Sequence, residues 1–228
     1  MTWQALEEFL LKVTEMAGKV VQPADQEAAR QRICDTAMLM YNQFGWNEQV
    51  NPKNPRIAGK KCADSMTRAR QGGAQIFSIF SVAGAPNPQK CLTISKQAEQ
   101  MYGRQYTAQE RNSTDIVSWC GIFSNYVYKV SGLKISSWPL RYSLFGLSKA
   151  TDELKITMAP QRGDIGVVDP MGGLNHHFVV VDVQGDSITT IDGNAGWHME
   201  IVKNTYTLPN VKKRQGYFLT PIWEKVLG

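Results

Sequence analysis

The chain has 228 residues, of which 43% are hydrophobic and 20% charged, and a formal net charge of +5. That length is enough to bury a core, the composition excludes a disordered or low-complexity chain, and no apolar run reaches the ~18 residues of a membrane-spanning helix. The basic excess gathers at Lys53, Arg56, Lys60, Lys61, Arg68 and Arg70, opposed only by Asp64; without a nucleic-acid-binding motif it reads as a solvated face, and no nucleic-acid partner is expected.

The opening residues, MTWQALEEFLLKVTEM, lack the basic start and unbroken apolar stretch of a secretory signal, so synthesis in the cytoplasm without general secretory export is expected. Trp3, Leu6, Leu10, Val13 and Ala17 fall on one helical face. Asp25 caps a second helix running to about Phe44, striped by Ile33, Ala37, Met40, Tyr41 and Phe44. Asn51 to Gly59 is a turn-rich loop. A third helix covers Ala63 to Val82, weakened at Gly72-Gly73, and a fourth starts near Thr93 and fades at Gly103. Residues 1–110 therefore read as a helical N-terminal region.

Residues 111–228 change character. The segment IVSWCGIFSNYVYKVSG, from Ile116 to Gly132, repeats its apolar positions at helical spacing and stops at Gly132. After Pro160 the pattern turns to strands: Asp164 to Val168, Phe178 to Val183, Ser187 to Ile191 beyond a Gly185-Asp186 turn, and Tyr217 to Ile222. Helices first and antiparallel strands after make an α+β fold.

The chain holds four cysteines and three histidines. No CxxC pair exists, and Cys and His do not fall at zinc-finger spacing, so neither a metal nor a cofactor is expected. Cys120 lies in the first turns of the 113–131 helix, where amide dipoles stabilise a thiolate. A thiolate needs a neutral-pH proton carrier, and His176 and His177 open the strand HHFVVVDV. The carrier in turn needs a group that fixes its tautomer. Asp192 and Asn194, two apart on the next strand, point the same way if pleating is regular. A hairpin about Gln184 to Asp186 then brings Asp192 opposite the region of His177 or just beyond it.

At these residues the chain resembles a known family. SWCGIFSNYVYKVSG is similar to the nucleophile helix of CHAP and NlpC-type peptidoglycan hydrolases. APQRGDIGVVD is similar to the Pro-x-x-Gly-Asp-Ile/Val strand before their histidine, and NHHFVVVDVQGDSITTIDGN to their histidine-led hairpin. The resemblance covers roughly residues 113–222. It implies a papain-like (CHAP/NlpC-like) antiparallel sheet packed on the nucleophile helix, forming a hydrolase domain over 111–228. It implies Cys120 as nucleophile and His177 as base, with Asp192 where the family usually has Glu, and Asn194 where it has Asn. His177 is preferred over His176 because it alternates with Val179 and Val181; His176 would then point to solvent or the substrate cleft. Asn112 and Ser118 are candidate oxyanion donors, and His198 reads as a surface residue.

The implied reaction is cleavage of a peptidoglycan amide, in the stem peptide or between sugar and peptide, through a thioester. Peptidoglycan outside the cytoplasm and a chain without a secretory signal together suggest an antibacterial type VI secretion effector, injected into the periplasm of a target bacterium, or a phage lysin. An effector implies an immunity protein and a secretion-machine component as partners. The alternative is a papain-like protease, deamidase or acyltransferase toxin acting on a protein.

Overall fold

The computed structural model describes residues 21–44, 73–85, 119–136, 152–170, 175–195 and 200–227. The helices expected at 3–17 and 93–103, the basic loop and the first part of the third helix lie outside them, as do Cys62, Cys91, Asn112, Ser118 and His198.

Among the described residues three longer helices precede the sheet: α1 (Pro23–Phe44), α2 (Gly73–Ala83) and α3 (Cys120–Val130). Pro23 takes the first position of α1, where its fixed φ suits the helix and its missing N–H costs nothing, and Asp25 places negative charge in the first turn. Ala29, Ile33, Ala37 and Met40 then recur on one buried stripe, with Tyr41 and Phe44 packed at its margin. The α3 helix is buried on nearly every side: Cys120 to Asn125, Val127 and Tyr128 are all inaccessible. Gly132 ends it at φ +86, a left-handed conformation with little cost for glycine.

The strands are β1 (Leu154–Thr157), β2 (Ile165–Val168), β3 (His176–Gln184), β4 (Ser187–Ala195), β5 (Glu200–Thr207) and β6 (Tyr217–Pro221), with short helices α4 (Leu208–Lys213) before β6 and α5 (Trp223–Val226) after it. They form one open antiparallel sheet in the order β1-β6-β2-β3-β4-β5. The fold is thus α+β, as the order of helical and alternating segments implies. The strands β1 and β5 were not read from the sequence, nor were α4 and α5.

The alternation of each strand sorts its side chains onto two faces. Ile165, Val167, Val179, Ile191, Ile201 and Leu219 join α1, α2 and α3 in the larger core. Val168, Phe178, Val180, Ile188 and Phe218 face the other way, under Val211 of α4. The N-terminal helices therefore share one apolar core with the sheet.

A buried ion pair fastens α1 to that sheet. Arg30 Nη1 donates to Asp164 Oδ1 at 2.9 Å and to the Arg162 carbonyl at 2.6 Å, and its guanidinium lies 5.0 Å from the Trp223 ring centroid. Asp164 also accepts from the Gln161 amide at 2.9 Å and from the Thr220 hydroxyl. The Pro-x-x-Gly-Asp-Ile segment thus supplies a fully buried acid that anchors a helix. Burial pushes the Asp164 carboxyl above its usual range, against the pull of Thr220 and Arg30.

Candidate active site

Cys120 is the first residue of α3, directly after its N-cap Trp119. At that position the thiolate sits among the amides that a helix leaves without internal acceptors, at the positive end of its dipole. Trp119 packs edge-on against Phe123, with ring centroids 6.3 Å apart, which fixes the entry into the helix. Gly193 lets α3 approach β4 closely: a Cβ there would fall 2.5 Å from Phe123 Cβ and Cγ.

The Cys120 sulfur lies 3.6 Å from His177 Nδ1 and 3.8 Å from the Asn175 carbonyl. His177 is 3% exposed and lies on the larger-core side of β3, two residues before Val179. His176 opens the same strand and lies near enough to the sulfur for its charge to favour a thiolate there.

Asp192 distinguishes them. Val179 pairs with Ile191, so one step further along the register Asp192 falls opposite Phe178, on the face that carries His176. His176 Nε2 donates to Asp192 Oδ2 at 2.9 Å. His176 is not turned to bulk solvent: its side chain is 19% exposed and tied to a fully buried carboxylate. The acid expected near His177 holds its neighbour instead. Asn194 does not continue the alternation of Asp192, because its backbone turns left-handed at φ +58 within a register shift between Asp192 and Ala195.

Asp192 is further bound by groups the sequence reading missed. Asn204 Nδ2 and the Tyr206 hydroxyl each donate to Oδ2 at 2.9 Å, and the Thr190 hydroxyl donates to Oδ1. Asn204 and Tyr206 belong to β5, paired opposite Thr190 and Ile188. The signal available was the run of β-branched and aromatic residues around them, Ile201, Val202, Thr205, Tyr206 and Thr207.

These contacts set the protonation states. Burial opposes a charged Cys120, but hydrogen bonds from His176 and His177, together with their charges, outweigh it and hold the thiol well below its ordinary value. Burial likewise opposes a charged His176, yet the bonds to Asp192 and Cys120 lift it from 6.5 to about 10. Both shifts favour a thiolate near a protonated imidazole, with the Asp192 carboxylate behind that imidazole. Cys34 provides the internal contrast: buried on α1 and lying 3.8 Å from the Val180 carbonyl, its thiol is pushed up to about 11 by burial. Among the described residues no group of three His, Cys, Asp or Glu side chains could hold a metal ion, and no helix is long and apolar enough to cross a membrane.

No protein-family model matches this chain, and no significant match exists among curated proteins or solved structures.

Proposed function

We propose that this protein is a papain-like cysteine hydrolase that cleaves an amide bond of bacterial peptidoglycan, as the sequence resemblance to CHAP and NlpC-type enzymes implies. The observation that carries the reading is the Cys120 sulfur at a helix start, 3.6 Å from His177 Nδ1, with His176 bonded to buried Asp192. That arrangement contains a nucleophile, a proton carrier and a group that orients the carrier. The α+β order, with α3 packed on the sheet through Phe123 and Gly193, supports papain-like packing.

In the proposed reaction the Cys120 thiolate attacks the scissile carbonyl carbon, and the new C–S bond forms as the oxygen takes up negative charge. Backbone amides at the start of α3 meet that charge. Collapse breaks the C–N bond, and an imidazolium gives its proton to the departing amine. Water then attacks the thioester, the imidazole takes its proton, and a carboxylic acid leaves as Cys120 is regenerated. The bond that His176 donates to Asp192 favours His176 as the proton carrier; His177 Nδ1 lies against the sulfur. An injected effector with a cognate immunity protein remains the setting that the sequence suggests.

The test is digestion of purified peptidoglycan by wild type and Cys120→Ala, with mass spectrometry of the fragments. Wild type is expected to release fragments whose combined mass exceeds the parent's by one water for each amide cut, and Cys120→Ala none. Intact peptidoglycan beside a protein substrate changed in mass by wild type alone would move the activity to the protease, deamidase or acyltransferase class.

A further inference from the structure

We infer that Tyr206 and Asn204, neighbours on one face of β5, are positioning residues that fix the Asp192 carboxylate against His176. The inference rests on the cysteine-hydrolase reading and extends it to a strand that contributes nothing to the reacting atoms. Both side chains donate to the same oxygen, Oδ2, that receives His176 Nε2, each at 2.9 Å. A carboxylate with three donors on one oxygen and Thr190 on the other has no rotamer freedom left. It is also held as an acceptor, because every partner presents a hydrogen.

The geometry extends outward. The Tyr206 ring stacks on Phe178 at 4.6 Å between centroids and an interplanar angle of 13°, so its hydroxyl is aimed by packing as well as by bonding. Burial and the nearby Asp192 charge keep the Tyr206 hydroxyl protonated, against the opposing pull of the nearby Arg214 charge. Arg214 in turn is paired with Asp169, whose charge faces His176. The charged and titratable groups around the acid are therefore His176 on β3, Tyr206 on β5, Arg214 after α4 and Asp169 after β2, with Cys120 and His177 beyond His176. Tyr206, Asp192 and His176 form one hydrogen-bonded row, with the Arg214–Asp169 pair near its outer end.

A positioning role predicts a change in the ionisation of Cys120 that a merely structural one does not. The probe is iodoacetamide, which needs no knowledge of the substrate: its rate of reaction with Cys120, followed by peptide mass mapping across pH, reads the thiolate directly. Tyr206→Phe keeps the stack on Phe178 and deletes only the hydroxyl; Asn204→Leu removes the second donor at similar size. In each, the alkylation profile is expected to move up by about one pH unit, which is about tenfold in rate on its acid side. Thermal melting checks that the variants remain folded. Wild-type profiles in both folded variants would overturn the inference while leaving the hydrolase reading intact. An ordinary thiol profile in wild type would overturn both.

Discussion

His176 and His177 are adjacent on β3, yet only His176 is bonded to Asp192, at 2.9 Å. The cause is a single irregularity in the hairpin. From its turn the pairing runs Gln184 with Ser187, Val183 with Ile188 and Asp182 with Thr189, and continued regularly it would set Asp192 opposite Val179, on the face of His177. A register shift between Val180 and Asp182 moves the partner by one residue, and a one-residue slip exchanges the faces of everything beyond it. Asp192 therefore reaches His176 across the smaller core.

The two histidines are expected to differ on substitution. His176→Ala removes the imidazole that Asp192 orients, and peptidoglycan cleavage should fall about 10²–10⁴-fold. His177→Ala leaves that pair in place and should cost less. Steady-state rates of both variants on the same peptidoglycan check the order; a larger loss at His177→Ala would return the base to the position the sequence reading preferred.

How much of this was legible in the sequence depends on what the pattern encodes. The apolar stripe of α1, the stop at Gly132 and the β3–β4 hairpin follow from periodicity and turn residues, and the structure has them; the nucleophile helix starts later than the expected 113, which makes Cys120 its first residue. The strand β5 escaped because one of its faces carries Asn204 and Tyr206 toward a buried acid, so that it lacks an alternating apolar signature. The short edge strand β1 offers four residues, too few for a period to register. The partner of Asp192 was illegible for a different reason: face follows from register, and a bulge has no dependable mark in one sequence. Likewise, the Gly-Asp of the segment before β2 carried a family resemblance, while its physical work, pairing with Arg30 some 134 positions earlier, could not be read from either site alone.

The His176 pair should also leave a pH signature on stability. His176 rises from 6.5 to about 10 in the folded chain. A group whose folded value exceeds its unfolded one contributes stability that is fully present below the unfolded value, declines as pH rises, and is gone above the folded value. The difference in Tm between wild type and His176→Gln should thus be largest near and below 6.5 and shrink as pH approaches about 10. A difference that grows with pH would contradict the ionised pair.

Arg30 and Asp164 should behave as a buried pair in which one partner cannot be spared. Both side chains are at most 8% exposed. Arg30→Met leaves the carboxylate among Thr220 and the Gln161 amide without its counter-charge, and should destabilise the fold by about 3–5 kcal/mol. Thr220→Val, which deletes one neutral donor, should cost about 1 kcal/mol. Urea unfolding of both variants measures these values; a near-neutral Arg30→Met would mean that α1 is held by its apolar stripe alone.

The most direct measurement of the central claim compares two cysteines in one molecule. Iodoacetamide labelling of the folded wild type, quantified separately at Cys120 and Cys34 across pH, should show Cys120 reacting well below the ordinary thiol range, and Cys34 only in the alkaline range set by its value of about 11. Labelling of both on one shared alkaline profile would contradict an ionised Cys120, and with it the nucleophile on which the proposed hydrolysis depends.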